Sequence, residues 1–78
     1  MLDADDLREV DEILLDYLQE GRVTPVYAQR RILKEGHRDS ISRGYIQQQL
    51  ARLVEHGHVR NLFDVGLYEL VDDPRNDG

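Results

Sequence analysis

Three stretches with a helical spacing of apolar residues, each closed by a glycine, leave this chain few ways to fold. The first carries Leu7, Val10, Ile13, Leu14, Tyr17 and Leu18 and stops at Gly21. The second carries Ala28, Ile32 and Leu33, with Val26 or Tyr27 near its entry, and stops at Gly36. The third carries Ile46, Leu50, Leu53 and Val54 and stops at Gly57. Steps of three and four residues put each set on one helical stripe. Glycine ends helices because it alone adopts a left-handed backbone without steric cost. Each stretch also has a start signal. Asp6-Leu7-Arg8-Glu9 has the form of a capping box with Asp6 as N-cap. Thr24-Pro25 reads as an N-cap followed by the first helical residue, and Ser42 can cap the third helix. The opposite face of the first helix, with Glu9, Asp11, Glu12, Asp16 and Glu20, is expected to be solvated.

After Gly57 the period changes. His58 to Phe63 and Leu67 to Val71 are two short runs rich in Val, Leu, Phe and Tyr. They flank Asp64-Val65-Gly66 and read as a β-hairpin. One consistent choice turns Val59, Leu62 or Phe63, Leu67 and Leu70 toward the helices. Arg22-Val23-Thr24 is expected to pair briefly as a strand, and Ile41 to plug the core. The order is helix, short strand, helix, turn, helix and two-stranded hairpin. This is an α+β chain with the layout of a winged helix-turn-helix, expected to span residues 1–71. Residues 72–78, Asp-Asp-Pro-Arg-Asn-Asp-Gly, are expected to form an acidic disordered tail.

Size narrows the function classes. A chain of 78 residues buries a small core, so dimerisation is expected. It has no Cys, which excludes disulfides and thiolate chemistry. There is no apolar run of about 18 residues to span a membrane and no signal peptide at Met1-Leu2-Asp3, so a soluble cytoplasmic protein is expected. There is no Gly-rich phosphate loop and no nucleophile context, and an enzyme is not expected. His37, His56 and His58 lack the Cys or paired carboxylates of a metal site, so no cofactor is expected.

The net charge of −6 speaks against a polyanionic partner until its distribution is followed. Residues 1–20 carry −7 and residues 61–78 carry −4, whereas residues 21–60 carry +5. A basic middle within an acidic frame suggests a surface that faces a polyanion. Arg outnumbers Lys nine to one and Asp outnumbers Glu ten to six. A Lys-poor acidic chain suits a high-salt cytoplasm, where at about 1 M the Debye length is roughly 3 Å and an acidic rim barely repels DNA.

The third helix carries Gly44, Tyr45, Gln48, Ala51 and Arg52 on or near the side away from its apolar stripe. Gln and Arg make bidentate contacts to base edges in the major groove; the bland reading is a wet polar face. The N-terminus of the second helix leaves backbone N–H groups unpaired, so a phosphate is expected near Thr24.

Leu14-Leu15-Asp16-Tyr17-Leu18-Gln19-Glu20-Gly21, Thr24-Pro25, the run from Ser42 to Val59, and Gly66-Leu67-Tyr68-Glu69-Leu70-Val71 together resemble the small repressor-like winged-helix proteins of salt-loving archaea and their viruses. The resemblance covers roughly residues 7–73 and implies a transcriptional regulator of double-stranded DNA, acting as a homodimer. It implies base or groove contacts from Ser42, Arg43, Tyr45, Gln47, Gln48 and Arg52, phosphate contacts from Arg30, Arg31 and Lys34, and wing contacts from Arg60 and Asn61. Read as residues, these positions keep alternatives. Arg43 suits a guanine or a phosphate, Arg52 suits DNA or its neighbour Glu55, and Tyr45 suits a phosphate or packing under the turn. Gly44 suits close backbone approach to DNA or a frayed first turn. Two departures stand out: Gly36 to Ile41 is long for the turn, and Asp64-Val65-Gly66 has no cation. A second class, a winged-helix module that docks a protein without reading bases, remains open.

Overall fold

The computed structural model describes residues 7–63 and 65–75. Helices α1 (Glu9–Glu20), α2 (Pro25–Glu35) and α3 (Arg43–Glu55) precede an antiparallel hairpin of β1 (Val59–Leu62) and β2 (Leu67–Leu70). Val23 adds one further antiparallel bridge to Tyr68. The architecture is a winged helix of the α+β class.

The start signals hold for α2 and α3. Thr24 Oγ1 accepts from the Tyr27 N–H at 3.1 Å, with Pro25 at the first helical position. Ser42 Oγ accepts from the Tyr45 N–H at 3.1 Å. Gly36, at φ 78°, and Gly57, at φ 81°, supply the left-handed ends. The start of α1 differs from expectation. Its N-cap is Arg8, whose N–H donates to Asp11 Oδ2 at 2.9 Å, and Asp6 lies outside the described residues. Asp11 is therefore buried rather than solvated: it closes the helix end from inside.

The core combines Val10, Ile13, Leu14, Leu15, Tyr17 and Leu18 of α1 with Ala28 and Ile32 of α2. Ile46, Leu50 and Leu53 of α3, Val23, Val59 and Tyr68 complete it, and Ile41, Tyr45, Val54 and Leu70 pack on its edge. Leu33, expected inward, is exposed. The hairpin also departs from the expected choice. Its register pairs Val59 with Leu70 and Asn61 with Tyr68. A strand alternates faces, so Val59, Tyr68 and Leu70 share the inner side while Leu62 and Leu67 share the outer one. Phe63 stands in solvent, 92% exposed.

Of the tail expected to be disordered, residues 72–75 make the contacts below, and residues 76–78 lie outside the described set. The Val71 and Asp72 N–H groups donate to the His58 carbonyl, and the buried His58 ring Nδ1 returns a bond to the Asp72 carbonyl at 2.9 Å. Asp73 is buried against α1. It accepts from Gln19 Nε2 at 2.6 Å and pairs with Arg75 at 2.9 Å, and Arg75 reaches Asp16 at 2.9 Å. Composition hides such contacts because those that tie the tail down, Gln19 to Asp73 and Asp16 to Arg75, join groups far apart in sequence.

Burial alone would raise the Asp73 pKa, but the Arg75 guanidinium and N–H and the Gln19 amide outweigh it and hold it below the ordinary value. A depressed carboxylate stabilises the fold fully above the unfolded value, here 3.8, and that contribution is lost as pH falls through the lower folded value. Asp73→Asn is therefore expected to lower the denaturation midpoint at neutral pH. The gap to the parent should close as pH falls below 3.8 and through the lower folded value. A gap constant over that range would contradict this account of Asp73.

Candidate nucleic-acid interface

The ten cations of the chain divide into two sets. Arg22 and Arg60 both bind Glu69, at 3.0 and 2.6 Å. Arg31 binds Glu20 at 2.8 Å and Glu35 at 2.9 Å and lies 4.1 Å over the Tyr17 ring. Arg52 reaches Asp11 at 3.1 Å, and Arg75 holds Asp73 and Asp16. Arg8, Arg30, Lys34, Arg38 and Arg43 are exposed and form no ion pair among the described residues. Four of these five lie between α2 and the first residue of α3. In a chain with sixteen acidic residues, the helix-turn-helix leaves four of its six cations without an ion pair among the described residues, Arg31 and Arg52 being the two that are paired, although Asp39 and Glu55 are exposed on the same unit.

This division sorts the expected contacts. Arg30 and Lys34 are one turn apart on α2 and exposed. Arg31 is instead a strut between α1 and α2. Hydrogen bonds from Arg31 first, then from Tyr17, lower the Glu35 pKa; burial first, then Glu35, raises that of Tyr17. The Arg52 guanidinium reaches α1, where it donates to Asp11 Oδ2 at 3.1 Å. Arg60 is exposed but shares Glu69 with Arg22, and those two hydrogen bonds, Arg60 first, lower the Glu69 pKa. Asn61 Oδ1 accepts from the Gly66 N–H at 2.9 Å, so its amide shapes the hairpin turn.

An open cleft of about 320 Å³ brings together Thr24, Pro25 and Val26 at the start of α2, Arg43 and Gln47 of α3, and Val65 and Gly66 of the wing. Thr24 and Ser42 each use a hydroxyl lone pair for capping. Gln48 is exposed next to Gln47, and Tyr45 is half buried against the core edge. A Cβ built at Gly44 meets nothing within 4 Å, so the first turn of α3 is open on that side.

Two residues were not expected here. Arg38 joins the uncompensated cations from within the long turn. Gln49, beside the two exposed glutamines, is buried, and its Oε1 has no hydrogen-bond partner among the described residues. Its signal is its place one residue from Leu50 and three from Ile46, on the flank of the apolar stripe. The histidines are dispersed. His37 lies beside Glu35 at 3.3 Å, His56 ends α3, and His58 is buried under the tail. Among the described residues no cluster of His, Cys, Asp or Glu could hold a metal ion, and no helix is long and apolar enough to cross a membrane. No family model, curated protein or solved structure matches the chain.

Proposed function

We propose that this protein binds double-stranded DNA and regulates transcription, with α3 in the major groove and α2 and the turn against the phosphates. The observation that carries the reading is the placement of Arg30, Lys34, Arg38 and Arg43: exposed, unpaired among the described residues, and confined to one unit of an otherwise acidic molecule. Lys and Arg on phosphates supply affinity, and base edges supply preference. Gln47, Gln48 and Arg43 are the exposed side chains of α3 with base-reading chemistry. Thr24 and Ser42 mark helix N-termini that suit phosphate oxygens. The working form is a homodimer on two half-sites in a cytoplasm of high salt, as in the repressor-like proteins the sequence resembles.

Titration of the full chain with a labelled random-sequence duplex at several salt concentrations tests the reading. Log affinity should fall linearly with log salt, with a slope of about −0.9 for each phosphate neutralised. Selection from a random pool at high salt should return a two-fold symmetric consensus. No binding to any duplex, or binding indifferent to salt and sequence, would overturn the reading in favour of a protein-docking module.

A further inference from the structure

The wing tip has the opposite chemistry from the rest of the interface. Its turn carries no Lys or Arg, yet Phe63 is 92% exposed and Val65 is 72% exposed. Phe63 is the only Phe in the chain and its backbone sits at φ 53°. For a bulky L-residue that left-handed conformation is unfavourable, and Gly66 shows that the same turn accepts glycine. The side chain gains nothing in return from its own fold, since it touches little of the molecule. Strain held at an exposed aromatic residue is a feature of contact sites. The tip is continuous with the cation-bearing face, because Val65 and Gly66 line the same cleft as Arg43 and Gln47.

We propose that Phe63, supported by Val65, is an apolar wedge that enters a base step of the minor groove beside the major-groove site of α3. The proposal rests on the DNA-binding reading and deepens it. Apolar side chains placed between base pairs unstack them and kink the duplex. An aromatic face stacks on any base. Such a contact releases no counterions, so it persists where salt weakens phosphate contacts. A cation-free tip is then suited to a protein that works at high salt.

The test uses the full chain and a random-sequence duplex carrying a donor dye at one end and an acceptor at the other. Phe63→Gly removes the wedge and relieves the left-handed backbone. It should melt no lower than the parent, bind the duplex about tenfold more weakly with an unchanged salt slope, and lose the energy-transfer gain that reports the kink. Phe63→Leu, still apolar, should recover most of the affinity and the kink. If the parent binds the duplex and Phe63→Gly binds and bends it equally, the wedge is refuted and the DNA reading stands. If the parent binds no duplex, both fall. A parent dimer that Phe63→Gly splits into monomers in the absence of DNA would also overturn the wedge, by assigning the tip to a second copy.

Discussion

Arg52→Ala is expected to destabilise the domain by about 3–5 kcal/mol, the cost of stranding one member of a buried ion pair. The loss falls on Asp11. Its side chain is 1% exposed, and its Oδ2 takes the Arg52 bond and the Arg8 N–H that closes α1. Its Oδ1 already has no hydrogen-bond partner among the described residues. Without Arg52 the buried carboxylate loses the cation that faces it and one of the two hydrogen bonds to its Oδ2, which weakens the fold. A domain of this size has a total stability of roughly 4–12 kcal/mol at about 0.05–0.15 kcal/mol per residue, so the variant should lose from about a quarter to all of it. A denaturant titration measures this. Asp11→Asn should cost less, because the cation it leaves is about a third exposed and can turn to water. If Arg52→Ala instead melts like the parent and loses only DNA affinity, Arg52 belongs to the reading face and its place here is wrong.

Removing Arg30, Lys34, Arg38 and Arg43 together should have the largest effect on binding and little effect on folding. All four are exposed and unpaired among the described residues, and surface changes of this kind usually stay within about 0.5 kcal/mol of the parent. If each neutralises one phosphate at about 0.9 in the slope, the salt dependence drops by about 3.6 and, for equal affinity at 1 M salt, affinity at 0.1 M falls about four thousandfold. Fluorescence anisotropy of a labelled duplex over a range of salt reads both quantities. The same number of substitutions at Arg22, Arg31, Arg60 and Arg75 should move the slope far less, because those guanidiniums are already compensated by carboxylates. Equal loss from both sets would mean that affinity follows overall charge and that the helix-turn-helix has no special role.

The elements were legible because their signals are local. Thr24-Pro25, Ser42 and the glycines at 36 and 57 each act within one helical turn, and the structure uses all of them. Asp11 was legible in principle: Leu7, Leu14, Leu15 and Leu18 lie four before and three, four and seven after it, so a carboxylate sits on an apolar stripe. What hid it was the partner, because Arg52 is forty-one residues away. Separation along the chain likewise hides the Arg22–Glu69 and Arg31–Glu20 pairs. A run of charges in sequence does not tell which guanidiniums face carboxylates across the fold, so Arg31 and Arg52 look like Arg30 and Arg43. The wing misled for a different reason. Leu67 and Leu70 are three apart and cannot share a strand face, whereas Tyr68 and Leu70 can. Tyr68 is the inner residue because it also completes the Val23 bridge.

That bridge has a mechanical consequence. The Val23 N–H donates to the Tyr68 carbonyl at 2.9 Å, and the Tyr68 N–H donates back to Val23 at 2.8 Å. The chain then enters α2 one residue later, at Thr24. Two backbone bonds thus rivet the hairpin to the doorstep of the helix-turn-helix, on the strand that leaves Phe63 behind. The wing cannot swing as a separate arm, and its reach relative to α3 is set when the chain folds. A ligand that must touch both is met by a ruler of fixed span; if the proposed DNA binding holds, a duplex one groove too wide or too narrow would be refused by geometry before any side chain is read.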